Sequence, residues 1–497
     1  MRLQRHSARL DHDPSRVIAR FFLPGDELTA SPSRASQVVA RVLGMPEHEI
    51  ADTVDGVNNE FSERHPHAIE TLAANARAVG SRILQENAVS DAQALVLGAA
   101  FTAEYAVEGA ALCNPSAVVH PSQDDLAPGE LRVALSLRGI GEGHISAIEF
   151  AEAVIGADGT WTFGDRSAET FAATISHGDW ARRHFSRVLE NEGHLSDPTS
   201  AVLGDLPDRF TVLELESALW SLPEQLSLRA DRRVPTETLR EIAATAYHAD
   251  FPTDSPLSGR VLLPVTAEEN NGVEDARFVL FTHPDGRTEY RATYTAYNGR
   301  DIAPRLITSD DLVGFAMHRL TGSGAVNKGM ALFPRLVGGK HLALSRVDGE
   351  SISLASSDDG EIWDDRGVVH RPTEMWEVIQ VGNCGAPIET PDGWLVLTHG
   401  VGPLRTYCLG ALLLDLDDPS RVLARTTTPL LRPEGEMRTG YVPRVVYSCG
   451  AIVHNGTLWI PVGVGDSRIR VYSIEIAALI AAMTRTDAAA DVVAWRG

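Results

Sequence analysis

The feature that most constrains the fold is a hairpin pattern that recurs along the chain. Each copy has an apolar run, a turn that contains glycine, a second apolar run, a polar break and a third apolar run. The turns lie at Pro128-Gly129, Asp285-Gly286, Gly338-Gly339, Asp392-Gly393 and Asn455-Gly456. β-Branched and aromatic residues on both sides of such turns predict antiparallel hairpins. A repeat of about 50 residues with three or four strands is typical of propeller blades. The sequence therefore predicts a mainly β fold, a five-bladed β-propeller.

Helical segments precede and interrupt this repeat. Ser33 precedes a helical pattern over 37–43, and Ser90 with Gln93 forms a capping box before an alanine-rich run that reaches Ala106. A second helical block, between about 165 and 250, separates the first turn from the second. The predicted parts are a helical N-terminal region (1–110), a propeller (111–480) with a helical insertion at about 165–250, and a C-terminal tail (481–497).

The octapeptide 356–363 supports the propeller. It fits the pattern S-x-D-x-G-x-x-W, the Asp-box of some sugar-processing propellers, with Asp358 at the acidic position. That pattern forms a hairpin turn, so we expect a structural role for it and not a catalytic one.

The charge of the chain limits its partners. A net charge of −23 disfavours nucleic acids and anionic membranes, because phosphate groups need a basic protein surface. An uncharged ligand such as a sugar meets no such penalty. The four cysteines are far apart and indicate neither a disulfide framework nor a zinc site. No apolar run approaches the roughly 20 residues of a membrane span. We expect a cytosolic protein without a bound metal.

Segment 270–277 is the strongest candidate for chemistry. It places Glu274, Asp275 and Arg277 at the start of the apolar strand 278–281. The structural alternative is an ion pair that closes the strand. When the repeats are aligned on their turns, polar residues interrupt the apolar runs at equivalent places. They are Asn114, Glu274, Asp275, Arg277, Lys328, Asn383, Tyr447 and Ser448 before the turns, and Arg138, Tyr297, Asn298, Arg300, Arg346, His399 and Asp466 after them. We expect this set to converge on one pocket, the alternative being that it ties neighbouring blades together by buried hydrogen bonds.

Such a pocket combines one acid with several cations. Asp275 is the candidate acid, and Arg277, Arg300, Lys328 and Arg346 would supply positive charge. Hydrolysis of a glycosidic bond with inversion needs an acid and a separate base carboxylate. Phosphorolysis needs the acid alone, because inorganic phosphate is the nucleophile, and it needs Arg or Lys to hold that phosphate. The residue set therefore favours phosphorolysis over hydrolysis.

Six segments carry a family resemblance. They are 272–277 (GVEDAR), 294–299 (YTAYNG), 328–334 (KGMALFP), 393–401 (GWLVLTHGV), 412–419 (LLLDLDDP) and 441–450 (YVPRVVYSCG). In this order they resemble the motifs of glycoside hydrolase family 130, the β-mannoside phosphorylases and related β-mannosidases. Ala276 and Met330 depart from the family's Pro and Ala at those positions. The long helical N-terminal region resembles a larger subgroup of the family.

The resemblance implies a five-bladed propeller and an inverting mechanism. It makes Asp275 the general acid, acting through a hydroxyl of the mannosyl unit. Asn114, Arg138 and Asp466 match positions that hold the transferred sugar, and Arg300 and Lys328 match cations that hold phosphate. Many phosphorylases of the family have a further His near 351–353, where this chain has none. His399 is the candidate for its place.

The predicted roles follow from these two lines of reasoning. Sugar binding is expected of Glu274, Arg277, Tyr297, Asn298, Asn383 and His399, together with Asn114, Arg138 and Asp466. Phosphate binding is expected of Arg300, Lys328 and Arg346. The expected ligands are a β-mannoside oligosaccharide and inorganic phosphate as co-substrate, without a cofactor, and a homo-oligomer stays open.

Three functions remain as alternatives. The first is inverting phosphorolysis of terminal β-mannosides to α-mannose 1-phosphate. The second is an inverting exo-β-mannosidase that acts on β-1,2- or β-1,4-mannosides with water. The third is a propeller that binds glycans without turnover, against which the intact Glu274-Asp275 pair and the cations argue.

Overall fold

The computed structural model describes residues 3–23, 33–65, 67–83, 89–221 and 236–486. The chain divides into two units. The first consists of Met1–Asp13, Glu108–Arg166 and Ala172–Gly497, and the second of Pro14–Val107 and Ser167–Phe171. The fold is mainly β with additional helices, as the sequence predicts. None of the helices in the described ranges is long and apolar enough to cross a membrane.

The first unit contains five groups of antiparallel strands, which we call the first to fifth sheets. The first has Ala111–Val119, Leu131–Ile140, Ser146–Ile155 and Trp161–Phe163, with Arg260–Leu262 beside Ser146–Ile155. The second has Gly272–Thr282, Thr288–Tyr297, Ile302–Ser309, Gly314–Arg319, Tyr247–Asp250 and Thr174–His177. A parallel pairing of Gly272 with Ser146 joins these two into one 12-stranded sheet, whose remaining strand, Phe171–Ala172, pairs with Arg260–Leu262.

The other three sheets follow in chain order. The third has Ala331–Leu332, His341–Ser345, Ile352–Ser357 and Asp364–His370. The fourth has Gln380–Asn383, Ile388–Thr390, Gly393–Gly402, Thr406–Leu414, Val422–Arg425 and Thr484–Arg485. The fifth has Val446–Tyr447, Ile452–His454, Thr457–Val464, Arg468–Glu475 and Gln4–Asp11. Each of the predicted glycine turns joins two antiparallel strands, so the hairpin prediction is confirmed.

The sheets bury apolar side chains against one another. Strands such as Gly272–Thr282 and Gly393–Gly402 are buried at nearly every position, so both of their faces are covered by other parts of the protein. Ring contacts join Phe150 to Phe278, Phe333 to Trp394 and Trp161 to Trp459. The second and third sheets share a core that includes Val279 and Leu332, and the fourth and fifth share one that includes Leu409 and Ile460. The first sheet therefore packs against both the second and the fifth.

The turn at 356–363 has the predicted structural role, with a shift of register. It connects Ile352–Ser357 to Asp364–His370. The Asp359 carboxylate accepts hydrogen bonds from the backbone N–H of Glu361 and Ile362, and the Trp363 indole donates to the Gly360 carbonyl. Asp358, the acidic residue of the predicted pattern, is exposed and pairs with Lys340. The turn is thus closed by Asp359, because that side chain points back over its own loop.

The insertion forms a helical subassembly. Its helices are Arg182–Asn191, Asp197–Asp205, Val212–Trp220 and Thr236–Ala243, and its short strands Asp179–Ala181 and Arg209–Thr211 pair with each other. Ser196 and Thr211 cap their helices through capping boxes. A core that includes Trp180, Phe185 and Leu215 holds the helices together.

The second unit is mostly helical. Its helices are Arg34–Leu43, Glu47–Ser62, Ala68–Ile83 and Asp91–Ala100, and strands Val17–Phe21 and Thr102–Ala106 pair with each other. Ser33 and Ser90 cap helices as predicted. The helix after Ser90 ends at Ala100, six residues before the predicted end, because the β-prone residues 102–106 pair with the earlier strand.

The ends of the chain differ from the predicted parts. Gln4–Asp11, within the predicted helical region 1–110, is a strand that pairs with Arg468–Glu475 in the fifth sheet. Its burial alternates with period two, which is characteristic of an edge strand and not of a helix. Within the predicted tail, Ile476–Ala482 is the final helix and Thr484–Arg485 joins the fourth sheet. Residues 487–497 lie outside the described ranges.

Candidate active site

Two bulged strands bring Asn114 and Asp275 together. The pairing of Ala111–Val119 is irregular between Cys113 and Ser116, and that of Gly272–Thr282 between Glu274 and Arg277. Asn114 (φ 51°) and Asp275 (φ 57°) have left-handed backbone conformations inside these irregularities. A bulge redirects the side chain of the extra residue. The Asn114 amide consequently donates a 2.5 Å hydrogen bond to the Asp275 carboxylate.

Arg138 connects the two adjacent carboxylates. Its guanidinium donates to Glu274 at 2.5 Å and to Asp275 at 3.3 Å, while its Nε donates to the Ser146 hydroxyl at 2.9 Å. All of these side chains except Arg138 are buried. The guanidinium is therefore held in one orientation, with its charge shared between Glu274 and Asp275.

Glu274 and Asp275 have opposite pKa shifts. Burial alone would raise the pKa of Asp275, but the charges of Arg138, Arg277 and Lys328 and the hydrogen bond from Asn114 lower it to about 2. Burial raises the pKa of Glu274, and Arg138 offsets only part of that effect. Asp275 is thus ionised at neutral pH. Bringing an anion and a sugar against it would raise its pKa, because a like charge and desolvation both favour the neutral acid.

Asp275 opens into a cavity of about 390 Å³. Side chains from all five sheets and their connecting loops line it. The lining residues are Asn114, Arg138, Asp275, Asn327, Lys328, Arg346, Gly349, Gln380, His399, Arg405, Tyr407, Val442, Val445, Tyr447 and Asp466. A volume of this size accommodates a sugar residue together with a small anion.

Backbone strain is concentrated in this cavity. Of the 11 non-glycine residues with positive φ in the described ranges, five line it: Asn114, Asp275, Asn327, Arg405 and Asp466. Such conformations cost free energy and persist where the surrounding structure enforces them, commonly at functional sites. The strain supports the assignment of this cavity as the active site.

Asp466 provides a second carboxylate on the Asp275 side. It lies in the turn between Thr457–Val464 and Arg468–Glu475. Within the described structure, its Oδ1 is buried without a hydrogen-bond partner. Burial raises the pKa of Asp466 to about 6, with the charge of Asp275 adding to the effect and those of Arg138 and Arg405 opposing it. Asp466 is therefore close to half-protonated near pH 6.

One part of the cavity lining is cationic. It consists of Lys328, Arg346 and Arg405. The Arg346 guanidinium donates to the Gly349 carbonyl at 2.6 Å, but among the described residues its buried Nε has no acceptor. Burial lowers the pKa of Arg346. A buried guanidinium with an unused donor is suited to an anionic ligand that supplies the missing acceptor.

His399 lies against this cationic part. Burial, followed by the charges of Arg346 and Arg277, lowers its pKa well below the usual value, so the imidazole is neutral. Its Nδ1 has no partner in the described part of the chain. The ring packs against Tyr447 and Tyr407, with centroids 4.8 Å and 6.1 Å away. Near 351–353, where the sequence lacks the family's His, Ser351 and Ser353 are buried and neither lines the cavity.

Three predicted site residues support the cavity or adjoin its lining. Arg277 is buried and donates to the carbonyls of Asp275 and Cys384 and to the Tyr447 hydroxyl, at 2.8, 2.8 and 2.9 Å. Asn383 donates to the Gly329 carbonyl at 2.7 Å and so fixes the segment next to Lys328. Arg277 and Asn383, like Glu274, are absent from the cavity lining.

Tyr297, Asn298 and Arg300, which the sequence predicts in the pocket, are not among the residues that line the cavity. They occupy the turn between Thr288–Tyr297 and Ile302–Ser309. The Asn298 side chain accepts from the backbone N–H of Arg300 and Asp301, and the Tyr297 hydroxyl donates to the Gly299 carbonyl. These bonds close the turn on itself and leave Arg300 exposed. Alignment of the repeats on their glycine turns could not show that these side chains bond within their own turn.

Sequence reasoning did not predict several lining residues. They are Asn327, Gln380, Arg405 and Tyr407, and Tyr447 was recognised only as a polar break in its repeat. Asn327 directly precedes Lys328, so its position next to a predicted site residue could have indicated it. Arg405 and Tyr407 follow a loop whose unusual backbone conformation the sequence does not reveal.

Comparison with known proteins agrees with this geometry. Residues 256–485 match the family model described as β-1,4-mannooligosaccharide phosphorylase, glycoside hydrolase family 130. A 1,2-β-oligomannan phosphorylase from Thermoanaerobacter sp. (strain X514) is 38% identical over 216 residues, which cover 42% of this chain and 71% of that protein. The chain belongs to glycoside hydrolase family 130. The matched range contains Asp275, Lys328, Arg346, His399 and Asp466.

Two further similarities concern proteins from Listeria innocua. A β-1,2-mannobiose phosphorylase from Listeria innocua is 34% identical over 233 residues, covering 44% of this chain and 62% of that protein. A solved structure of a β-1,2-mannobiose phosphorylase from Listeria innocua covers 76% of this chain and 93% of its own, with 22% identity and a TM-score of 0.45. Asn114 and Arg138, which contact Asp275 from the first sheet, lie outside the range of the family model.

Proposed function

We propose that this member of family 130 is an inverting phosphorylase that cleaves a terminal β-mannoside with inorganic phosphate and releases α-mannose 1-phosphate. One observation carries the proposal. A single cavity holds Asp275 in a fixed hydrogen-bonded position together with the cations Lys328, Arg346 and Arg405, which form no ion pair within the described structure. The relatives' names, which refer to phosphorylases of β-mannosides, support it.

The sugar would bind on the Asp275 side. Asn114, Arg138 and Asp466 present an amide, a guanidinium and an unpartnered carboxylate oxygen, which suit the hydroxyls of a mannosyl unit. Their fixed positions would orient the anomeric carbon between Asp275 and the cations. Such positioning accounts for a large part of catalysis in displacement reactions.

Phosphate would bind on the cationic side. Lys328 and Arg346 supply its charge balance, and the neutral His399 contributes a nitrogen whose partner is missing. An oxygen of phosphate attacks the anomeric carbon as the glycosidic C–O bond breaks. The leaving oxygen takes a proton that originates on Asp275, directly or through a mannosyl hydroxyl. The products are the sugar 1-phosphate with inverted configuration and the shortened oligosaccharide.

A specific observation keeps an inverting exo-β-mannosidase as the second candidate. Asp466 is a carboxylate in the same cavity as Asp275, with an unpartnered oxygen and a pKa raised by burial to about 6. In a hydrolase with inversion such a group could activate water. The cations of the cavity favour phosphorolysis, because water needs no positive charge to hold it.

The two functions separate in one experiment. The protein is incubated with β-1,2-mannobiose and with β-1,4-mannobiose, each with and without phosphate, and products are separated by anion-exchange chromatography. Mannose 1-phosphate formed only when phosphate is present supports the phosphorylase. Free mannose at the same rate without phosphate refutes it and supports the mannosidase. The relatives' names make the β-1,2 linkage the first choice of substrate.

We also propose that the five sheets are the blades of a five-bladed propeller with the active site on its axis. The support is the order of packing, in which each sheet contacts the next and the first contacts the fifth. The strand Gln4–Asp11 in the fifth sheet would then link the start of the chain to its final blade. The cytosolic location and a homo-oligomeric state stay predictions.

A further inference from the structure

The cationic side of the cavity has one member without a predicted role. The sequence predicts Arg300, Lys328 and Arg346 as phosphate ligands, but Arg300 is exposed in a turn outside the cavity. Arg405, from the loop between Gly393–Gly402 and Thr406–Leu414, lines the cavity instead. Arg405 thus takes the place of Arg300, and the cationic part of the cavity still has three members.

The loop that carries Arg405 is strained. Leu404 and Arg405 both have positive φ, 61° and 53°, although neither is glycine. For residues with a Cβ this conformation costs about 1 kcal/mol or more each. Leu404 is 76% exposed, so burial of its side chain does not offset the cost. The conformation does turn Arg405 towards the cavity, which gives the strain a functional consequence.

The Arg405 guanidinium is positioned but not neutralised. Its central carbon lies 6.0 Å from the centroid of the Tyr407 ring, a cation–π arrangement. Tyr407 is itself packed among His399 and Tyr447. Within the described ranges, the guanidinium forms no ion pair. Its charge acts on Asp466 and lowers the pKa of that carboxyl, without a direct contact. In a chain of net charge −23, an arginine kept free beside Lys328 and Arg346 indicates an anionic ligand.

We propose that Arg405 is a third phosphate-binding residue, which contacts the orthophosphate nucleophile and, in the reverse reaction, the phosphate of the sugar 1-phosphate. The inference rests on the proposed phosphorylase function. Arginine suits this position because its planar donors can contact two phosphate oxygens at once, whereas the Lys328 ammonium acts as a point charge. The strained loop places Arg405 at the cavity, with its guanidinium over the Tyr407 ring.

The test compares Arg405→Gln, Arg405→Lys and the control Arg432→Gln. Arg432 is an exposed arginine outside the cavity lining, so the control makes the same change in net charge. We expect Arg405→Gln to raise the KM for phosphate by roughly ten- to a hundredfold and to change the KM for mannobiose by less than about twofold. Arg405→Lys should recover part of the loss, and Arg432→Gln should match the wild type.

Two outcomes of these kinetics overturn the inference. Unchanged KM values in Arg405→Gln would remove Arg405 from the site, and a rise in the KM for mannobiose alone would assign it to the sugar. Circular dichroism and thermal melting identify a variant that has lost its fold. Arg405→Lys then provides the decisive comparison, because it keeps the side-chain stem and the charge.

Direct binding separates this inference from the proposed function. Inorganic phosphate is titrated into the wild type and into each variant by isothermal calorimetry. If the Kd for phosphate rises in Arg405→Gln by the factor expected for the KM, the inference is supported. That holds even if turnover proves to be hydrolytic. Phosphate binding that is equal in the wild type and Arg405→Gln, or absent from the wild type, refutes it. A wild type that binds phosphate yet releases only free mannose refutes the phosphorylase alone.

Discussion

Replacing Asp466 by asparagine should stabilise the protein at alkaline pH and weaken its binding of sugar. The carboxylate is held in a turn with φ 49°, and within the described structure its Oδ1 has no partner. Burial raises its pKa from 3.8 to about 6. The folded protein thus prefers the neutral acid, and ionisation of Asp466 reduces the free energy of unfolding. Asparagine has nearly the same shape and no charge at any pH.

The size of the effect follows from the pKa shift. About two pKa units at 1.36 kcal/mol per unit give about 3 kcal/mol. A raised pKa means that the penalty is absent below the unfolded value of 3.8 and complete above the folded value of about 6. The gain in the free energy of unfolding for Asp466→Asn is therefore expected to be about 3 kcal/mol at pH 8, roughly half of that at pH 5 and small at pH 4.

Urea unfolding of the wild type and the variant at these three pH values measures this difference. Asp310→Asn, at a side chain that is 82% exposed, is the control and should change the free energy of unfolding by less than about 0.5 kcal/mol throughout. The change in the free energy of unfolding for Asp466→Asn could instead be independent of pH, or larger at pH 4 than at pH 8. Either result would refute the assignment of Asp466 as a buried carboxyl with a raised pKa. In the same variant the KM for mannobiose should rise, because a sugar-binding group is lost.

Three further substitutions test other parts of the site. Asp275→Asn should lower kcat by about 100-fold to 10,000-fold without changing the melting temperature greatly, and near-normal turnover would remove Asp275 as the acid. Lys328→Ala should raise the KM for phosphate by about tenfold and far more than the KM for mannobiose, whereas equal effects would assign Lys328 to sugar or to structure. Gly382→Ala should destabilise by about 1–3 kcal/mol in urea unfolding, since its Cβ would lie 2.5 Å from His399 and 2.8 Å from Arg346; an unchanged stability would contradict that packing.

The β-hairpins were predictable because their signal is local. A turn such as Asp285-Gly286 needs a residue with positive φ, and glycine at 286 adopts φ 86° there. The apolar runs on both sides then have to pair with each other. The strand Gln4–Asp11 was not predictable in the same way. It is polar, lies at a sheet edge, and its partner Arg468–Glu475 is more than 450 residues further along the chain.

Part of the site was predictable because polar residues interrupt apolar strands at equivalent places in the repeats. Asn114, Arg138, Asp275 and Asp466 lie in the same cavity, as alignment of the repeats and the family resemblance suggested. Alignment alone could not predict the side-chain direction of Asn298, whose carbonyl oxygen closes its own turn.

Arg405 is a site residue that the sequence did not predict. The sequence Gly402-Pro403-Leu404-Arg405 contains no sign that two consecutive residues adopt left-handed conformations. In that conformation Arg405 lines the cavity that also contains Lys328 and Arg346. The residue becomes visible as a site candidate once the backbone is known.

The central claim is that phosphate held by the cations attacks the mannosyl carbon while a proton from Asp275 reaches the leaving oxygen. Its most direct test is to follow the cleavage of β-1,2-mannobiose in phosphate buffer by ³¹P and ¹H NMR from the first turnover. We predict equal amounts of α-mannose 1-phosphate and free mannose. Release of two free mannose molecules for each mannobiose, or formation of the β-anomer of the phosphate ester, would contradict the account.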